Sequence, residues 1–178
     1  MAEKENSNMM MPALLYGAII GGVYILNLLV QEAFNIHLTL YSRISGSVIL
    51  FAGILYAMYS YRKEYCNNII TYSKAFGFGV LTTVVYGIIS MGFFILFIKF
   101  INPDYAELLR AFTEERMLER GMEASEIETA MNAQQRFQTP LFQFIFGLLG
   151  TVLWGTIFSL IIAIFIKKEP KNPFEGIE

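Results

Sequence analysis

The sequence predicts an all-α fold, an integral membrane four-helix bundle with an extramembrane amphipathic helical hairpin between helices three and four. Three observations carry this. Charged residues are absent between Glu5 and Glu32, Arg43 and Arg62, Lys74 and Lys99, and Arg136 and Lys167, windows of 18 to 30 residues. About 20 apolar residues suffice to cross a hydrocarbon core. Continuous apolar runs such as 88–98 show no polar face for water. The third observation is the abrupt change at "FINPDYAELLRAFTEER", residues 100–116, where oily chain gives way to a charged, helix-patterned segment. A buried soluble core fits less well. Only 16% of residues are charged and 55% are hydrophobic, with a mean hydropathy of +0.50, whereas soluble domains carry about 25% charged residues.

One membrane domain is expected over residues 1–178. Helix one is read at about 12–31, with Pro12 in its first turn. The preceding "MAEKENSN" is net acidic and no small-x-small site follows the apolar run, so a retained helix is expected rather than a cleaved signal peptide. The link "QEAFNIHLTLYS" leads to helix two at about 43–61. In the next link, "RKEYCNNIITYS", Ile69 and Ile70 can dip into the membrane interface. Ser73 is the expected N-cap of helix three, at about 74–101. Helix four is read at 139–166, longer than a bilayer requires and so able to tilt. The tail, 168–178, is charged and Pro-containing and is expected to be disordered.

The insert 102–138 explains the change of character. Asn102 can cap a helix, Pro103 suits its first position, and Asp104 complements its positive end. Tyr105, Leu108, Leu109 and Phe112 follow the i, i+3, i+4, i+7 spacing of one apolar face, the candidate interaction face. Gly121 is a natural stop, and Ser125 with Glu128 reads as a capping box opening a second helix towards Phe137. The stripe can lie on the bilayer, cover the mouth of the bundle, or meet a partner. Surface-lying membrane binders are Lys/Arg-rich, whereas this insert is acidic.

Sidedness follows from the flanking cations. Lys4, Arg62, Lys63, Lys74, Lys167, Lys168 and Lys171 share the side of the termini, two pairs of them directly at helix ends. Arg43, Lys99, Arg110, Arg116, Arg120 and Arg136 lie opposite, mostly embedded among acidic residues. Both termini are therefore expected in the cytoplasm.

Between helices in lipid, close approach through small residues replaces the hydrophobic drive. Helix four spaces Gly147, Thr151, Gly155, Ser159 and Ala163 four apart; helix three does so with Ala75, Gly79, Thr83 and Gly87; helix one carries Ala13, Gly17 and Gly21. A tight bundle with little room for a water-filled pore is expected, and a homodimer seam along helix four is the competing use of its stripe.

Ionisable groups near membrane depth are the first functional candidates. Glu32 and Lys99 reach the same membrane face and can either pair or reach separately for water. Asn27, one turn below Glu32, completes a candidate polar rim. His37, the one histidine, falls in a link and reads as a surface residue, although histidine titrates near neutrality. Cys66 is the single cysteine and reads as an inert thiol, excluding an internal disulfide or thiolate metal cluster. No HExxH, GxSxG or Walker loop is present. "EERMLER" approaches a paired-glutamate protease motif, but its arginine, Arg120, falls one position late. No catalytic residues, metal or cofactor are expected. The net charge of −2 offers nothing to nucleic acid.

"TYSKAFGFG" before helix three, "WG" in helix four and the tail "FIKKEPKNPFE" resemble domain-of-unknown-function family 4199, small membrane proteins of Gram-negative bacteria. The family's early glycine-rich helix is similar to "YGAIIGGVY", and Ser73, Lys74, Ala75, Phe76 and Gly79 match its S/F-x-K/E-A-F-x-x-G-like element. The resemblance implies an inner-membrane location and no particular activity, and the long acidic hairpin is also family-like. The expected role is non-enzymatic, through protein–protein interaction or self-association. The alternative is a small-molecule or lipid carrier, or an accessory subunit of a transporter. Membrane lipids, a second copy or another membrane protein are the partners expected.

Overall fold

The computed structural model describes residues 9–135 and 139–168; Lys4, Arg136, Lys171 and most of the expected disordered tail lie outside the described residues. The chain forms α1 (Met10–Ala33), α2 (Leu40–Tyr65), α3 (Tyr72–Leu96) continued by a π-helical turn (Phe97–Ile101), α4 (Tyr105–Glu119), α5 (Ala124–Gln135) and α6 (Pro140–Ile166). Four of these, α1, α2, α3 with its π turn, and α6, are long and apolar enough to cross a membrane.

Threonine caps set three of the four starts. The side chains of Thr39, Thr71 and Thr139 accept from Ser42 N, Lys74 N and Phe142 N at 3.4, 3.4 and 3.3 Å, filling orphan donors of the first turn. The cap of α3 is thus Thr71, and Ser73, expected in that role, lies inside the helix. Likewise α2 begins at Leu40 rather than 43 and runs to Tyr65 rather than 61. Arg62 and Lys63 end the apolar window without ending the helix, because both are good helix formers.

α3 ends where Pro103 forces it to. Proline has no N–H to extend the ladder and pushes the preceding residue out of the α region. Asn102 accordingly sits at φ −133°, ψ 80°, and its N–H donates to Phe97 O at 2.9 Å, five residues back. Contrary to the expectation from sequence, Asn102 and Pro103 do not open the next helix. α4 starts at Tyr105, with Asp104 at the N-cap position making no side-chain cap bond. α4 stops at Gly121, whose φ of 77° favours glycine, with Met122 N donating to Met117 O at 3.2 Å. The start of α5 also differs from expectation: Glu126, not Glu128, reaches back, accepting from Glu123 N at 3.2 Å. Ile127 and Met131 of α5 are buried, and they line a cleft with Arg110, Glu114 and Leu118 of α4.

Within the bundle α3 is central, packing on α1, α2 and α6. The small residues make that possible. Gly17 backs onto Val85 and Gly21 onto Ile89, Gly79 meets Ser159 and Met58, and Gly87 meets Leu148 and Thr151. Gly155 lies against Thr83, and Gly147 against Met91. The small face of α6 is therefore occupied by α3 of the same chain. Thr82, Thr83 and Ser90 return their hydroxyls to Phe78 O, Gly79 O and Gly87 O at 2.8, 2.9 and 3.2 Å. Their polarity is spent on their own helix. Tyr61 stacks on Phe78 at 3.9 Å between ring centres, both fully buried.

One end of the bundle is clasped by polar groups. Arg62 Nη1 donates to Ile166 O at 3.0 Å and its guanidinium lies 5.3 Å from the Tyr59 ring centre. Asn67 and Asn68 turn the chain with positive φ, so that Ile70 and Lys168 exchange backbone bonds of 3.0 and 2.9 Å.

Candidate functional site

The opposite end carries the expected rim residues, in a different arrangement. Asn27 and Gln31, one turn apart on α1, face α2 and are buried. Their amides donate to Ser45 Oγ at 3.2 and 3.4 Å, and Tyr41 OH donates to Asn27 Oδ1 at 2.7 Å. Glu32, the next residue on α1, faces the α3–α4 elbow instead. Its Oε2 receives His37 Nε2 at 2.8 Å and Asn102 Nδ2 at 2.9 Å. A carboxylate only accepts, so the His37 proton on this bond sits on Nε2.

Two expectations are corrected here. Glu32 does not pair with Lys99: its partners are His37 and Asn102, while Lys99 is carried outward by the π turn and is exposed. His37 is no surface residue. It is 6% exposed, its ring 5.4 Å from that of Tyr105 and 6.1 Å from that of Phe97. The acceptor that removes it from water, Glu32, stands five residues earlier. Tyr105, at the head of α4, also meets Phe94 and Phe97, each at 5.8 Å. Burial pushes its phenol up from the ordinary range, so it stays neutral.

Beside this knot lies a cavity of about 770 Å³. Its walls are Met91, Phe94 and Ile98 from α3 and the π turn, Tyr105, Ala106, Leu109 and Arg110 from α4, and Phe142, Gln143, Phe146 and Gly147 from α6. Of the apolar stripe read from sequence, Tyr105 and Leu109 line it. Leu108 does not and remains 42% exposed, and Phe112 is half-buried with Arg116 over its ring at 5.3 Å. Gly17, Gly21, Gly79, Thr83, Gly87, Thr151, Gly155 and Ser159 lie in the helix seams, away from the cavity. Gly147 alone of the stripe residues serves both.

Sequence reasoning missed Arg110 and Gln143. Gln143 had a legible signal: it is the one amide side chain within 140–166, and the rule that singled out Asn27 applies to it equally. Its Oε1 is buried and has no hydrogen-bond partner among the described residues. Arg110 had none, because on an acidic helix it reads as one more surface charge.

Four apolar helices of membrane length define a multi-pass membrane protein. The chain belongs to the family described as "Protein of unknown function (DUF4199)", whose model matches residues 15–168 and so includes the knot and the cavity walls. No curated protein and no solved structure matches it.

Proposed function

We propose that this chain is a non-enzymatic binding protein of the bacterial inner membrane, and that its working surface is the flank where α4 stands over the ends of α3 and α6. The observation that carries this is the cavity of about 770 Å³, within the 300–1,000 Å³ typical of small-ligand sites. It favours the small-molecule or lipid reading over protein–protein interaction. The fixed core of the bundle, with its hydroxyls turned to their own helices, fits a binder better than a channel.

Arg62, Lys63, Lys74, Lys167 and Lys168 at one end support a cytoplasmic location for that end and for both termini. The α4–α5 pair then stands outside the hydrocarbon on the other side, with the cavity at the outer leaflet. Benzoylphenylalanine installed at Ala106 and irradiated in cells tests the reading. An adduct of lipid-like mass is expected; capture of protein alone from that position would sink it. Exposed Leu108 supports a second reading, docking of a membrane protein or a second copy. The same probe at Phe112 would then capture protein.

A further inference from the structure

We infer that the cavity takes one acyl chain of an anionic amphiphile, with Arg110 and Gln143 holding the headgroup. This rests on the small-molecule or lipid reading above and adds the chemistry of the ligand.

The cavity has a polarity gradient that parallels a membrane leaflet. On α3, Met91 lies seven residues before Ile98 and so about 10 Å deeper along the helix. On α6, Gly147 lies one turn deeper than Gln143. Both deep residues belong to the membrane-length helices. Between them the walls are aromatic and aliphatic, with Phe142 and Phe146 stacked at 4.2 Å. The polar contributors are confined to the shallow end: Arg110 on α4, outside the membrane-length helices, and Gln143 in the first turn of α6. An acyl chain pointing inward and a headgroup pointing outward match that order.

The headgroup's sign follows from which charges reach the cavity. Arg110 contributes to its wall, whereas Glu107 and Glu114 line a neighbouring cleft with Arg110 and are not part of this one. No ion pair engages Arg110 among the described residues, where the Arg–carboxylate contact is Arg116 with Glu119. Arg110 is the charged residue in an otherwise largely apolar wall, and such a wall favours carboxylate or phosphate, which a guanidinium can bind through two N–H groups. Gln143 adds a buried polar atom without a partner. Its amide can accept from a ligand hydroxyl or, turned over, donate to a ligand oxygen. The volume has room for one chain rather than a whole two-chain lipid. A free fatty acid, or one chain of an anionic phospholipid from the surrounding leaflet, meets the requirement equally.

The test uses the full chain in phosphatidylcholine nanodiscs with a diazirine-bearing palmitic acid, and its neutral monoacylglycerol counterpart as a second probe. Labelling is read by intact mass and mapped to peptides containing Ile98 or Phe146. Arg110→Gln is expected to lower labelling by the acid about tenfold, one hydrogen-bonded charge contact, and to leave the neutral probe unchanged. Ala106→Trp, at an exposed position of α4, fills the cavity and is expected to abolish labelling by both; Ala106→Leu serves if the larger side chain lowers the unfolding temperature. Equal loss of both probes, or of neither, in Arg110→Gln overturns the anionic headgroup while leaving the cavity reading intact. Undiminished labelling in both Ala106 variants overturns the cavity reading as well. Competition by unlabelled palmitate supports the free acid as source. Competition by phosphatidylglycerol doped into the disc supports the leaflet lipid.

Discussion

One oxygen of Glu32 is shared by His37 Nε2 at 2.8 Å and Asn102 Nδ2 at 2.9 Å, the second donor arriving from 70 residues further along the chain. That oxygen fastens the α1–α2 link and the α3–α4 elbow to one point. The elbow in turn sets where Tyr105, and with it α4, stands over the cavity.

Removing either side of this knot should loosen α4. Glu32→Ala, which strands the buried His37, is expected to cost about 1–3 kcal/mol, and Asn102→Ala, which leaves the partly exposed Glu32 its His37 bond, about 0.5–1.5 kcal/mol. Because both remove the same bond, the double variant should cost less than the sum. Lys99→Met should change nothing. Unfolding in detergent, followed by circular dichroism, provides the measurement. Strict additivity would show that the Glu32–Asn102 bond does not form in solution.

Two glycines on one turn of α3 should respond oppositely to a single methyl group. A Cβ at Gly79 would lie 2.5 Å from Ser159 Oγ and 2.9 Å from Met58 Sδ, whereas one at Gly77 meets nothing within 4 Å. Gly77→Ala should therefore stabilise by about 0.5–1 kcal/mol through reduced backbone freedom. Gly79→Ala should destabilise by about 1–3 kcal/mol through overpacking. Equal responses would contradict the α3–α6 contact.

Arg62 holds the end of α6 through Ile166 O. Arg62→Met keeps much of the aliphatic stem and removes the charged donor, at an expected cost of about 1.5–3 kcal/mol. Hydrogen exchange should rise selectively at Lys167 and Lys168, whose amides then fray. Exchange rising equally in all helices would mean the contact is not local.

The single cysteine, Cys66, follows α2 at the basic end and is partly exposed. With that end cytoplasmic, a membrane-impermeant maleimide should label Cys66 in inverted vesicles and leave it unlabelled in intact spheroplasts. The reverse pattern would invert the topology and bring α4 and α5 inside.

The helices themselves were legible because lipid imposes a simple rule: a charge-free window of sufficient length must be helical, as its backbone groups have no water to bond. The windows bounded by Arg43 and Arg62, and by Lys74 and Lys99, accordingly found α2 and α3. Their starts were misread by three and two residues, because Thr39 and Thr71 are ordinary polar residues until a neighbouring amide turns towards them.

The arrangement at the Glu32 end of the bundle was decided only by tertiary structure. Spacing along α1 can say that Asn27 and Gln31 share a face and that Glu32 does not, but not which helix stands opposite each face. That choice came from packing. Once Gly17 and Gly21 had brought α3 against α1, the elbow at Pro103 delivered Asn102, not Lys99, to the carboxylate. Short-range patterns fix each rod because every backbone bond within it is local. Partner choice at the rim depends on distances between rods, which no single stretch of residues encodes.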